Sequence, residues 1–70
     1  MTFYSVDRSP EAVAKHGHPI LTAWTVKAAR DNWVAQDEGH RQSVRAPVAA
    51  HLCRTWYQVD LKQAVASGLV

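Results

Sequence analysis

The last third of the chain alternates apolar and polar positions with the spacing of an α-helix. Its apolar residues form one face, made of Val48, Leu52, Trp56 and Val59. Pro47 suits the first turn of a helix, and Gly68 suits the left-handed position just beyond its end. The pattern therefore predicts one long amphipathic helix over residues 46–66.

The middle of the chain predicts a second long helix. Residues 20–35 contain four alanines and neither glycine nor proline, which favours a helix over residues 19–36. The apolar surface of this helix is wider than one stripe, because Val26 and Trp33 lie to the side of the others. Such a surface predicts contact with more than one neighbour, and a second copy of the chain in a homodimer is one such neighbour.

The start of the chain predicts two short elements. Residues 2–7 alternate in character, which indicates an extended segment that can act as a strand. Ser9 has the side chain of a helix N-cap, and Pro10 fits the first helical position. Because Gly17 fits the end of a helix, a short helix is expected over residues 9–16.

A sequence similarity within the chain offers an alternative for the long C-terminal helix. Residues 55–60 resemble residues 2–7 in residue type. If the two stretches were a true repeat, residues 55–60 would form a strand and the helix would break near Arg54. The stretch is short and its residue types are common, so the unbroken helix is the favoured prediction.

Together these elements predict a mainly α fold. The predicted structure is a small helical domain built on an antiparallel hairpin of helices 19–36 and 46–66, with the short helix and the extended N-terminal segment packed on it. Trp24 is expected to meet Trp56 between the two long helices. Seventy residues predict one domain over residues 1–70, and a chain of this length has marginal stability.

The cysteine content and the apolar runs predict a cytoplasmic protein. Cys53 is the only cysteine, so no intramolecular disulfide can form, and a lone thiol fits a reducing compartment. The first residues lack the basic and apolar regions of a signal peptide. No apolar run approaches the roughly 20 residues of a membrane span, so no membrane partner is expected.

No pattern in the chain predicts catalysis or metal binding. His51 and Cys53 lie two positions apart on the predicted helix, so their side chains would point about 200° apart. They could not share a metal ion or act as a nucleophile and its base. We therefore expect no enzymatic activity, no metal site and no cofactor.

Two surfaces are candidates for binding a partner. Val26 and Trp33 form an apolar patch of the kind that anchors protein interfaces. A basic set lies in the loop and on the exposed side of the last helix: Arg41, Arg45, Arg54 and Lys62. The net charge of +2 is too mild for a purely electrostatic partner. The favoured hypothesis is a small non-enzymatic regulatory or inhibitory protein that acts by binding another protein.

The alternative hypothesis is a DNA-binding transcriptional regulator. Residues 9–28 have the outline of a helix-turn-helix, with a short helix, a turn glycine and a second helix. The basic face of the last helix could instead follow the phosphates of a nucleic acid. The match to the motif is incomplete, because the second helix offers few basic residues at its start, where base edges are read.

Overall fold

A computed structural model describes all 70 residues of the chain. The chain forms four helices and one antiparallel sheet of three strands. In chain order the elements are β1 (Phe3–Asp7), α1 (Pro10–His16), β2 (Ile20–Trp24), α2 (Lys27–Ala35), β3 (Arg41–Val44), α3 (Ala46–Tyr57) and α4 (Leu61–Ser67). The fold is therefore α+β, and the prediction of a mainly α domain built on a helical hairpin is wrong. None of the helices is long and apolar enough to cross a membrane.

The first strand lies in the middle of the sheet. The strand order is β2-β1-β3, and Val6 of β1 faces Leu21 on one side and Gln42 on the other. Since side chains alternate along a strand, Tyr4 and Val6 point to one face of the sheet, and Ser5 points to the other. All three residues are buried, so helices must cover β1 on both faces.

Two helical layers provide this cover. On the Ser5 face, α2 contacts all three strands. On the Val6 face, α3 contacts β1 and β2, with α4 packed beside it. The core lies in this second layer and consists of Tyr4, Val6, Leu21, Ala49, Cys53 and Ala64. Burying a side chain such as Val6 or Leu21 completely contributes about 1.5–3 kcal/mol, so this layer is a main source of stability.

The predicted helix over residues 19–36 is instead a strand followed by a helix. Residues 20–24 form β2, and only Lys27–Ala35 are helical. The strand is favoured because each residue from Ile20 to Trp24 pairs with a residue of β1, which was itself correctly predicted as extended. These pairings outweigh the helical preference of an alanine-rich stretch. They also remove the second helix of the proposed helix-turn-helix over residues 9–28.

The predicted helix over residues 46–66 is broken into α3 and α4. Gln58 adopts the left-handed conformation, with φ of 59°, and ends α3. The stretch 55–60 is not a strand, because it comprises the end of α3 and the connection to α4. The buried stripe of α3 contains Ala49 and Cys53 and is displaced by one residue from the predicted stripe.

The structure confirms three helix boundaries that local signals in the sequence predicted, namely both ends of α1 and the end of α4. Ser9 Oγ accepts a hydrogen bond from Ala12 N at 3.3 Å, and Pro10 begins α1. Gly17 ends this helix with φ of 80°, and Gly68 ends α4 with φ of 78°. Local capping chemistry therefore identified these boundaries even where the lengths of the long elements were wrong.

The break at Gln58 yields a prediction about stability. Gln58→Gly should stabilise the protein by about 1 kcal/mol, because a left-handed conformation strains a residue that has a Cβ atom. The matched control is Gln36, which ends α2 in the right-handed conformation. Gln36→Gly should destabilise the protein by about 0.5–1 kcal/mol through lost backbone restriction. Urea unfolding of both variants measures the two effects, and a destabilised Gln58→Gly variant would contradict the assigned break.

Candidate protein-binding surface

The predicted anchor Trp33 is engaged within the fold. Its ring lies 3.4 Å from the guanidinium carbon of Arg41 and has its centroid 6.1 Å from that of Trp24. Arg41 also donates a hydrogen bond to the Trp33 carbonyl oxygen at 3.0 Å. Trp24 in turn donates from Nε1 to Ser5 Oγ at 2.9 Å. This network fixes α2 on the sheet and leaves Trp33 only half-exposed.

Arg41 is similarly occupied by contacts inside the molecule. Its Nε lies 3.7 Å from Asp7 Oδ2, in an ion pair of two largely buried side chains. That Nε has no hydrogen-bond partner, since the separation is too long for a hydrogen bond. Val26, the other predicted member of the apolar patch, is exposed at the start of α2.

The other predicted basic residues lie at different places in the C-terminal part of the chain. Arg45 immediately precedes α3, Arg54 lies near the end of α3, and Lys62 lies on α4. Because Gln58 breaks the helix, the continuous basic face expected along residues 46–66 does not form. Arg54 instead lines a small cleft of about 360 Å³ together with Asp60.

Trp56 belongs to an aromatic cluster at the surface and does not meet Trp24. Its ring is stacked with that of His18, with centroids 6.3 Å apart and planes 7° apart. The Arg8 guanidinium carbon lies 5.9 Å from the Trp56 ring centroid. His18 also makes an edge contact with Tyr57, at 4.7 Å between centroids. The expected packing of Trp24 against Trp56 is therefore wrong.

The apolar side of α3 extends beyond the area that the sheet covers. Val48, Leu52 and Trp56, called here the α3 ridge, lie beside the buried stripe. Val48 is 47% exposed, whereas Leu52 and Trp56 are partly buried against the core. α3 packs over β1 and β2, so this side of β3 carries a half-exposed Val44 and an exposed Gln42. The ridge and this side of β3 are the candidate binding surface.

The single cysteine lies inside the core and is unsuited to nucleophilic chemistry. Cys53 is fully buried. Burial raises the pKa of its thiol, and the nearby Asp60 carboxylate raises it further. A thiol with a raised pKa stays protonated at neutral pH and is a poor nucleophile. No three side chains of His, Cys, Asp or Glu converge in a set that could hold a metal ion.

One surface ion-pair cluster perturbs a carboxylate but marks no site. Hydrogen bonds from Lys27 and Arg30 lower the pKa of Asp31, to which both lie at 2.9 Å. Lys27 and Asp31 are spaced i,i+4 on α2 and are both exposed, so the pair belongs to an ordinary helix surface.

Comparison of the chain with protein-family models, with curated proteins and with solved structures finds no match. The surface geometry is therefore the basis for a functional proposal.

Two features of the surface were not identified from the sequence. The α3 ridge was assigned to the core, because helical spacing shows that Val48, Leu52 and Trp56 share a face but not how much of it a neighbour covers. The contact of His18 with Trp56 joins residues far apart in the chain, and no local signal indicates it.

The buried thiol predicts slow chemical modification. Iodoacetamide should alkylate Cys53 in the folded protein at least about 100-fold more slowly than in the protein unfolded in guanidinium, because attack requires an opened structure. Mass spectrometry of timed samples measures both rates. Equal rates in the two conditions would show that Cys53 is accessible and that α3 does not pack as described.

Proposed function

We propose that this chain is a small non-enzymatic regulatory or inhibitory protein that acts by binding another protein. The observation that supports this proposal is the α3 ridge, in which Val48 is exposed and Leu52 and Trp56 are only partly covered. An apolar stripe next to half-exposed aromatic and basic side chains is typical of the centre of a protein interface. Trp56 is the best candidate for an anchor, since Arg8 and His18 hold its ring in place.

The charge distribution favours a protein over a nucleic acid as the partner. Lys27 and Arg30 are paired with Asp31, and Arg41 is paired with Asp7. Of the remaining predicted basic residues, Arg45 caps the start of α3, Arg54 lies in its last turn and Lys62 lies on α4 beyond the break at Gln58. A nucleic acid requires several cations arranged along its phosphates, whereas the ridge offers apolar area.

The size of a stable interface indicates that the ridge is part of a larger contact. A typical interface buries about 800 Å² on each partner, which is roughly one sixth of the 4610 Å² surface of this protein. Three side chains cannot supply that area, so the partner must extend over the neighbouring sheet. We propose that binding itself is the function, exercised in the cytoplasm, where the unpaired Cys53 would remain reduced.

A pair of valine variants tests this proposal. Val48→Glu places a charge on the α3 ridge and should abolish retention of a nuclease-resistant partner from host lysate, since a buried unpaired charge costs several kcal/mol. The matched control is Val65→Glu on α4, because Val65 is similarly exposed at 41% against 47% for Val48. Quantitative mass spectrometry of the retained proteins compares wild type with both variants after circular dichroism has confirmed their folds.

Three results would contradict the proposal. The first is retention that is equal for wild type and Val48→Glu, and the second is equal loss in both variants. The third is retention that disappears after nuclease treatment, which would favour a nucleic-acid partner.

A further inference from the structure

The third strand has one hydrogen-bonded edge and one open edge. β3 pairs with β1 and with no other strand. The hydrogen bonds of β2 show which backbone groups of β3 face β1. In β2, Leu21 N points away from β1 and donates to the Tyr57 hydroxyl at 3.5 Å. Leu21 and Val6 are therefore a non-hydrogen-bonded pair, and the N–H and C=O groups of Val6 point towards Gln42 of β3. Gln42 and Val44 accordingly face β1.

The backbone N–H and C=O groups of Arg41, Ser43 and Arg45 point away from β1, and four of them are open to a further strand. These groups are the carbonyl of Arg41, the N–H and carbonyl of Ser43, and the N–H of Arg45. The hydrogen bond from Arg41 N to the Asp37 carbonyl at 2.8 Å confirms this orientation, because it points away from β1. Arg8 N, which donates to the His40 carbonyl at 2.7 Å, confirms it from the other side. The four outward groups have the spacing that a further strand requires.

The two outer edges of the sheet differ in how far the protein covers them. On β2, the Tyr57 hydroxyl accepts the Leu21 N–H, and His18 Nδ1 lies 2.7 Å from the Pro19 carbonyl oxygen. Side chains thus occupy the start of the β2 edge. No side chain bonds the outward groups of β3, and Ser43 is exposed. Proteins usually protect such edges, so an open edge beside an apolar ridge indicates a place for another chain.

Two basic side chains near the open edge, Arg45 and Arg8, have no acidic partner. Arg45 follows β3 directly, is exposed, and takes part in no ion pair. Arg8 donates to Gln42 Oε1 at 3.4 Å and also has no carboxylate partner. Of the acids next to β3, Asp7 pairs with Arg41 and Asp37 pairs with His40. Glu38, in the turn before β3, is exposed and is the one acid there without an ion pair. The edge therefore attracts an acidic segment.

A groove at the end of β3 provides space for a side chain of that segment. It has a volume of about 570 Å³ and is lined by Ser43 and Arg45 at the open edge and by Phe3 and Arg30 further in. The Arg30 guanidinium carbon lies 5.6 Å from the Phe3 ring centroid. Arg30 is already paired with Asp31, so Arg45 is the arginine of the groove without an acidic partner. The groove thus joins apolar walls to one unpaired arginine, a combination that suits a side chain with an aliphatic stem and a carboxylate end.

We propose that the open edge of β3 pairs with an extended acidic segment of the partner protein and that Arg45 binds a carboxylate of that segment. This inference rests on the proposed function and identifies the form of the partner. The segment adds a fourth strand to the sheet through the backbone of Ser43 and lies next to the α3 ridge, which its neighbouring residues cover.

A second copy of the chain is a poorer occupant. In antiparallel pairing of two β3 strands about Ser43, Arg41 of each copy would lie directly opposite Arg45 of the other. Like charges at opposed positions of a sheet are destabilising. An acidic strand replaces this repulsion with attraction, and the choice between the two occupants is open to direct measurement.

The test uses a phage-displayed library of random dodecamer peptides on the immobilised protein. We expect enriched sequences that carry Asp or Glu among β-branched residues. A synthetic copy of an enriched peptide should shift the NMR amide signals of residues 41–45. Arg45→Glu should weaken its binding about tenfold or more, as close charge pairs do in other interfaces. The matched control, Arg54→Glu on the exposed side of α3, should change it less than about threefold.

A second variant tests the backbone pairing independently of charge. Ser43→Pro removes the outward N–H without removing a hydrogen bond to β1, so the fold should persist while peptide binding is lost. Circular dichroism and the NMR spectrum verify the fold. Ser43→Ala keeps the backbone N–H and should bind the peptide as wild type does. If Ser43→Pro is unfolded, the comparison of Arg45→Glu with Arg54→Glu decides whether the peptide binds at the β3 edge.

Several outcomes would overturn the inference. They are an absence of enriched acidic peptides, NMR shifts confined to the α3 ridge or to β2, equal effects of Arg45→Glu and Arg54→Glu, and a stable dimer that excludes the peptide. Shifts confined to the ridge would overturn only the strand pairing and would leave the proposed function intact. The proposed function is tested by a different experiment, and it is contradicted if Val48→Glu retains the lysate partner as wild type does.

Discussion

The sheet depends on β1, which is hydrogen-bonded on both edges and covered on both faces. Its three central residues, Tyr4, Ser5 and Val6, are all buried. Val6 and Leu21 form the centre of the core layer, and Ser5 accepts the hydrogen bond of Trp24 that anchors the other layer. Each neighbouring element is placed by a contact with this strand, so a disturbance of β1 would affect both layers together.

The helices cover the two faces of the sheet unequally. α2 contacts all three strands, whereas α3 lies over β1 and β2. On the α3 side of the sheet, Gln42 and Val48 are exposed and Val44 is half-exposed. Trp33, the anchor expected from the sequence, is held by Arg41 and Trp24 in the α2 layer, and the candidate surface is instead on the opposite side of the sheet.

Local signals in the sequence predicted the elements whose ends are determined by short-range chemistry. Ser9, Pro10 and Gly17 delimited α1 because capping involves only neighbouring residues. Residues 20–24 were assigned to a helix because their strand conformation depends on pairing with β1, which is distant in the chain. The break at Gln58 could not be predicted because glutamine has no preference for the left-handed conformation that ends α3. The open edge could not be predicted while β2 and β3 were unassigned.

Native-state amide hydrogen exchange of β3, followed by NMR, tests the open-edge arrangement most directly. Gln42 and Val44 face β1, so their amides should exchange slowly, at rates close to those of the amides in β1. Ser43 and Arg45 face the open edge, and their amides should exchange many times faster. This alternation along one strand is the predicted result. Uniform protection of all four amides, or fast exchange of Gln42 and Val44, would contradict the account of a sheet that ends at an unoccupied β3 edge.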